Sequence, residues 1–581
     1  MADGGYLANF EDYGFNVEIW EEEAMLTVVA DFETTVDVDD CRVWAWCICN
    51  VDDVDKLEFG NSIDSFFEWC MRKSKVQMYF HNLGFDGAFI MDYLANSDWE
   101  WVEEPKDVSA KCYTTLISDM NQVYCITLYR DKEHWVRIYD SLKVIPLSVK
   151  AMAKSYGLDE GKGELDYAAY REPGHELTDD ERDYIRRDVQ IVARVLRMFL
   201  DDGLVKMTAG ANALHDYKQM LGGAKHFRRV YPELDEVEDK FIRSAYRGGF
   251  TYVSPRFQGQ VLGEGIVLDV NSLYPSVMDA CDGQLLPVGY PEWFDGEYVH
   301  DANRPLWVAC VTCSFKLKPE HIPCIQLKNN CRFKGTEYLE DSHGDVTFCT
   351  TSVDWELIQQ QYDLKRVKWH GGYKFQCNSV QFKCYVEKWV QVKNQATIEG
   401  NKGKRNIAKL MLNSLYGKFA TRVKVIGRKP VLEDGIVHYV DMEPKDRHGV
   451  YLPVGVFVTA YARYKTITSA QSVYDRFVYA DTDSLHLLGT ELPDELDIDP
   501  VRLGAWKHES TFEKAKFIRA KTYAEQVDGK LEVKCAGMPA YMHGQVTLDN
   551  FETGAVYTGK LYQKRVPGGI VLVEGEMEIR A

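Results

Sequence analysis

No run of about 20 apolar residues occurs in this sequence, so it offers nothing long enough to cross a bilayer as a helix. It has no fixed-period repeat and no low-complexity stretch, which excludes a solenoid or a string of domains on flexible linkers. The opening MADGGYLANFEDYG lacks the basic start and apolar centre of a secretory signal, and the expectation is a chain that stays in the cytoplasm. Its 15 cysteines form no regular framework and read as reduced thiols packed as small apolar groups. Cys310 and Cys313 are spaced CxxC, but Cys324 and Cys331 do not supply the second pair a zinc site needs. Cations are scarce too: 68 Lys and Arg against 89 Asp and Glu leave −21, which taken alone argues against a polyanionic partner.

The charge is unevenly placed. Residues 1–60 carry 16 Asp and Glu against Arg42 and Lys56, whereas 401–432 carry Lys402, Lys404, Arg405, Lys409, Lys418, Arg422, Lys424, Arg428 and Lys429 with no acid. That basic run is a candidate phosphate-facing surface, with a solvated charged face as the plainer alternative. The 581 residues, 45% apolar and 27% charged, have globular composition and make roughly four domain-sized units.

Strand-like segments with acids at one end recur at 26–33 (LTVVADFE), 265–270 (GIVLDV) and 477–488 (FVYADTDSLHLL). The clearest helix spans 183–200, where Ile185, Val189, Val192, Leu196 and Phe199 form a buried stripe. The alternation predicts an α/β or α+β protein with more than one sheet. In the first segment Asp31 and Glu33 share a strand face, where two carboxylates repel unless a cation sits between them. Residues 79–90 (YFHNLGFDGAFI) pass from strand through turn to helix and put Asp86 near the helix start, with Asn82 and Phe85 beside it. Tyr184 and Asp188 stand one turn apart on a face flanking the buried stripe. Asp31, Glu33, Asp86 and Asp188 are oxygen donors able to hold two Mg²⁺ about 4 Å apart and to activate water on a phosphodiester.

A second set follows. Asp269 ends an apolar strand and leads into VNSLYPSVM, a strand-to-helix turn whose amides are suited to a triphosphate. Asp481 and Asp483 of YADTDS (479–484) fall at a hairpin tip, two apart and on one face. Between them, KLMLNSLYGKF (409–419) lines up Lys409, Asn413, Tyr416 and Gly417 on one helix side, presenting a cation to phosphates and a ring to a base.

The order DxE, NxxxD, YxxxD resembles the DEDD-type 3′–5′ exonucleases of the RNase H-like fold. DVNSLYPS, KLMLNSLYG and YADTDS resemble motifs A, B and C of the family B DNA polymerases, and TAYAR (459–463) and KTY (521–523) two accessory motifs. YRGG (246–249) and YDSLK (139–143) resemble elements of the protein-primed branch, in its phi-29-type phage form. The match runs from about residue 25 to the end. The resemblance implies a multidomain α/β and α+β fold: an N-terminal RNase H-like 3′–5′ exonuclease domain, then a right-hand polymerase of palm, fingers and thumb with two terminal-protein-region insertions. The expected division is an acidic extension at 1–25, exonuclease at 26–208, palm at 209–280 and 453–535, insertions at 281–381 and 422–452, fingers at 382–421 and thumb at 536–581. The long separation of Asp269 from Lys409 independently suggests the first insertion.

By the same resemblance Asp269 and Asp483 hold the polymerase metals with the Val270 carbonyl, and Asp481 stands beside them. Tyr274 excludes a 2′-hydroxyl, Lys393 and Lys409 hold phosphates, and Asn413 and Tyr416 report on the nascent pair. Thr459 and Arg463 correspond to template–primer contacts, Lys521 and Tyr523 to the grip on the primer end, and Lys534 to the start of the thumb; Tyr246, Arg247, Gly248, Gly249 and Ser272 complete the expected DNA-binding set. In the editing site Tyr184 orients water and Lys162 stabilises developing charge. Thr34, Tyr79, His81, Asn82, Phe85, Phe89, Ser141 and Leu142 cradle a frayed single strand. Leu147 departs from the branch, which often has an aromatic there, and the acidic composition implies a weaker non-specific hold on DNA.

The implied activity is DNA-directed DNA synthesis with proofreading, protein-primed replication of a linear viral genome, and processive strand displacement. The implied cofactor is Mg²⁺, two per active site, with Mn²⁺ able to substitute. Implied partners are primer–template and single-stranded DNA, dNTPs and a terminal priming protein, the chain being a monomer or its heterodimer, with no membrane. The alternatives are a 3′–5′ exonuclease whose polymerase-like half only binds DNA, and a non-catalytic DNA-binding scaffold.

Overall fold

The computed structural model describes residues 25–104, 107–158, 165–166, 169–328, 330–447 and 449–580. Lys162 and residues 1–24 lie outside them. The N-terminal sheet grows around the strand Leu26–Thr34, antiparallel to Val43–Asn50 and parallel to Lys75–Phe80, which is itself parallel to Trp135–Asp140. Alternation sends Val28, Ala30 and Phe32 into one buried layer with Phe66 and Leu83, and Val29 into another with Ile185, Val189 and Val192. Asp31 and Glu33 share the parity of Val29 and so lie on the side covered by the helix Asp179–Asp201. Thr178 and Glu181 cap that helix reciprocally. Tyr184 and Asp188 do not flank its buried face as expected but are themselves 4% and 6% exposed, because the helix packs directly on the strands.

The same sheet extends into sequence-distant chain. The hairpin of Gly427–Glu433 and Ile436–Asp441 joins the strand Cys112–Ser118 through the pairs Gly427–Ser118 and Arg428–Ile117. The C-terminal hairpin, Val556–Val566 with Gly569–Glu578, returns to this region as well. The Gly568 amide donates to Asp92 Oδ1 at 3.1 Å, and Arg565 covers the Tyr439 ring at 3.9 Å.

A second, five-stranded antiparallel sheet has the order Trp506–Phe512, Gly265–Val270, Ser484–Leu488, Phe477–Asp481, Thr251–Val253. The helix Leu452–Ser472, buried along most of its length, backs it. Segment 281–381 folds on a sheet of its own, Leu286–Phe294, Tyr362–Asn378, Leu306–Leu317 and Val346–Thr351, with a separate core around Val311, Phe315 and Trp355. Helices Lys383–Ile398 and Lys402–Phe419 pack side by side above the five-stranded sheet's carboxylate end.

Two compositional readings sharpen here. Cys310 and Cys313 take opposite faces of Leu306–Leu317: Cys313 is buried, and Cys310 stands opposite Cys349 of the neighbouring strand. The basic run is partly neutralised from elsewhere. Lys404 pairs with Asp202, Arg422 with Asp119, Lys424 with Glu236 and Arg428 with Asp441, so a smaller group of cations faces the sheet.

Candidate functional site

The first site is a cleft of about 200 Å³ lined by Asp31, His81, Asn82, Phe85, Asp86 and Asp188. Three segments converge because the parallel strands end together: Asp31 and Glu33 at one strand end, Asp86 in the first turn of the helix Leu83–Ala95, and Asp188 from the covering helix. Asp86 is 4% exposed, and burial, reinforced by Asp31 and Asp140, holds its carboxyl well above the ordinary range. Asn82 adopts left-handed backbone at φ 75° to turn from strand to helix. The His81 ring lies between the Ser141 hydroxyl, 2.9 Å from Nδ1, and the Leu147 carbonyl oxygen, to which Nε2–H donates at 2.7 Å; burial keeps it below its usual pKa.

The single-strand cradle expected from sequence divides in two. Thr34, His81, Asn82, Phe85 and Leu142 retain exposure, whereas Tyr79, Phe89 and Ser141 are buried and support the cleft from beneath. Asp140 was missed. Its buried carboxylate accepts from the amides of both Asn82 and Leu142 at 3.0 Å, tying the two halves of the cradle together. Its place inside YDSLK was the available signal.

The second site sits where the five-stranded sheet's strands end. The Val270 amide donates to the Asp483 carbonyl at 2.8 Å, fixing the strand that carries Asp269 against the turn that carries Asp483. Asp481 and Asp483 do not share a face through strand alternation. Asp481 ends its strand, and Thr482 and Asp483 form the two-residue turn, with Thr482 at φ 62°. A β-branched residue in that region is strained, and the surroundings hold it. The Thr482 amide donates to Phe250 O at 2.6 Å, its carbonyl accepts from Thr466 Oγ1 at 2.7 Å, and its side chain lies flat on Gly249. Asp483 is pushed up to about 6 by burial, with Asp269, Asp481 and Glu509 adding to it.

Lysines hold the two outer carboxylates. Lys521 Nζ lies 2.8 and 3.0 Å from Asp481 Oδ1 and Oδ2, and Lys507 Nζ lies 2.9 Å from Asp269 Oδ2. As they stand, no three His, Cys, Asp or Glu among the described residues are gathered closely enough to hold a metal. The donor chemistry at both sites, crowded carboxylates and a carbonyl, still fits a hard divalent cation, which would relieve the repulsion that raises Asp86 and Asp483. Above the second site Lys409 and Asn413 are exposed, and Lys393 is held below its usual pKa by burial and then by Arg405, Lys409 and Lys507. Tyr416 stacks on Tyr274, centroids 3.9 Å apart, joining the upper helix to the turn that starts at Ser272.

Other expected contacts are placed differently. Thr459 is buried and bonds its own helix. Arg463, 4% exposed, clasps Asp354 with Nε and Nη2 and donates from Nη1 to the carbonyls of Arg247 and Gly248 at 2.7 and 2.8 Å. Both lie behind the surface, and Arg463 fixes the Tyr246–Gly249 segment. Tyr523 packs on Tyr479, and Lys534, opposite it in register, is exposed. Lys507 was not singled out from sequence, and Arg405 only as one member of the basic run 401–432.

The family model for DNA polymerase type B, organellar and viral, matches residues 68–173 and 168–499. The chain is 44% identical over 577 residues to the DNA polymerase of Bacillus phage PZA, covering 95% of this chain and 99% of that one. The Phi29 DNA polymerase complexed with primer–template DNA and incoming nucleotide superposes with TM-score 0.90 at 41% identity, over 96% of this chain and 100% of the other. The same polymerase complexed with single-stranded DNA gives 0.89 at 40% identity, with the same coverage. The chain belongs to the type B DNA polymerases, organellar and viral.

Proposed function

We propose that this chain is the DNA-directed DNA polymerase of a phage, with 3′–5′ proofreading, acting in the host cytoplasm in protein-primed replication with strand displacement. One observation carries the reading: two separate sets of carboxylates at strand ends, only one of which faces a cationic helix. The set faced by Lys393, Arg405 and Lys409 suits a triphosphate, whereas the set beside the His81–Phe85 cleft suits a strand end to be cut. The domain division expected from sequence is adopted with it, and primer–template, single-stranded DNA, dNTPs and a terminal protein are its partners.

In synthesis, Asp269 and Asp483 with the Val270 carbonyl hold the cations, and Asp481 is kept beside them by Lys521. Mg²⁺, or Mn²⁺ in its place, supplies when bound a lowered pKa for the attacking hydroxyl and neutralisation of the leaving group. Lys393 and Lys409 orient the phosphates. The Tyr274 ring floors the sugar pocket, while Asn413 and Tyr416 test the pair. In editing, Asp31, Glu33, Asp86 and Asp188 are the donors, and Tyr184, one turn before Asp188, orients the water; Lys162 belongs to the same reading. Asp31→Ala with Asp86→Ala is expected to abolish shortening of single-stranded DNA and leave primer extension intact; Asp483→Ala is expected to do the reverse. Loss of both activities in either variant would count against two separate sites.

A further inference from the structure

Lys507 stands at the boundary between the anionic and cationic halves of the polymerase site. Its strand, Trp506–Phe512, is the sheet's edge, and its register is reset by a bulge: Ser510 pairs with Val267 but His508 with Leu268, leaving Glu509 as the extra residue. The bulge brings Lys507 opposite Asp269, with its Nζ 2.9 Å from Oδ2. On the other side lie Lys393, Arg405 and Lys409, whose field Lys507 joins. The head group sits on a flexible stem about a third exposed, so it can pivot without moving the strand.

We propose that Lys507 is a movable counter-charge and a positioning residue for synthesis: it neutralises Asp269 until a divalent cation binds there, then turns to the phosphates of the incoming nucleotide. Like charges enforce the exchange. A divalent ion on Asp269 and an ammonium on the same carboxylate oxygen repel strongly in a partly buried site, whereas a triphosphate lies within reach of the cationic side. The lysine thereby competes with metal when nucleotide is absent and supports nucleotide when metal is present. The inference rests on reading Asp269 and Asp483 as metal ligands.

The test uses the full chain carrying Asp31→Ala and Asp86→Ala, so that the cleft site does not compete for metal. Free Mn²⁺ is followed by electron paramagnetic resonance without nucleotide, and dATP binding to the primer–template complex is measured in Ca²⁺, without turnover. Lys507→Met is expected to tighten Mn²⁺ binding about fivefold, the upper end for a solvent-exposed ion pair, and to weaken dATP binding by a similar factor. Lys507→Arg, which keeps the charge, is expected to restore nucleotide affinity. Unchanged or weaker Mn²⁺ binding by Lys507→Met overturns the proposal, as does unchanged dATP affinity. Asp483→Asn separates the two levels: if Mn²⁺ binds it undiminished, the metal-site reading itself falls.

Discussion

Gly249 offers the sharpest test of how the second site is held. A Cβ built there lies 2.6 Å from Thr482 Oγ1 and 2.8 Å from Cγ2, about 1 Å inside ordinary contact. Thr482 is β-branched and cannot swing away freely, since its backbone is fixed by Phe250 and Thr466. The strain of Gly249→Ala therefore passes to the turn and to Asp483, one residue on. A displacement near 1 Å at a reacting centre costs about 100-fold in rate, while overpacking costs about 1–3 kcal/mol in stability. Single-turnover primer extension should fall by that factor, with degradation of single-stranded DNA within twofold of the unaltered chain, because the cleft carboxylates lie on another sheet and the helices packed on it. Adding Thr482→Ala removes Oγ1 and Cγ2, leaves the nearest atom at 3.1 Å and should recover part of the rate. Extension within threefold of normal in Gly249→Ala would refute the argument, as would a parallel loss of degradation.

Arg463→Met removes the two-pronged clasp, leaves the Asp354 carboxylate without its cation and takes away support of the Tyr246–Gly249 backbone, and should lower unfolding stability by about 3 kcal/mol in a urea titration; a loss below about 1 kcal/mol would show the clasp to be dispensable. The Cys349 thiol is pulled below its ordinary value by the Cys310 thiol, aided by Ser244 and Arg247 against its own burial. Its alkylation by iodoacetamide should therefore reach its midpoint below the ordinary thiol value near 9, and Cys310→Ala should move that midpoint upward, as read by peptide mass spectrometry; an unmoved midpoint would show the Cys310 contact to be inert.

Most of the carboxylates were legible because they stand at or near a strand end or in the first turn of a helix, and Asp188 because it follows Tyr184 by one turn on a strongly periodic helix. What pattern conceals is register. A one-residue bulge at Glu509 decides that Lys507 faces Asp269, and no periodicity in AWKHES announces it. The hairpin tip at Thr482 was placed correctly, but the shared face of Asp481 and Asp483 was not, because alternation was carried past Asp481, where the strand ends, into the turn. That Thr459 and Arg463 are buried was not legible in TAYAR, since a motif names residue types, whereas burial of the helix Leu452–Ser472 depends on the sheet it backs.

The hairpin that joins the N-terminal sheet is held to it by two register pairs, by Arg428 on Asn121 and by Val437 in the shared core, while the C-terminal hairpin closes against both through Gly568 and Arg565. Chain segments remote in sequence thus form a clasp fastened without a covalent bond. The two hairpins therefore stay on the N-terminal sheet through hydrogen bonds and the apolar layer that Val437, Val566 and Ile570 share with it, so the hold is reversible and as strong as that layer.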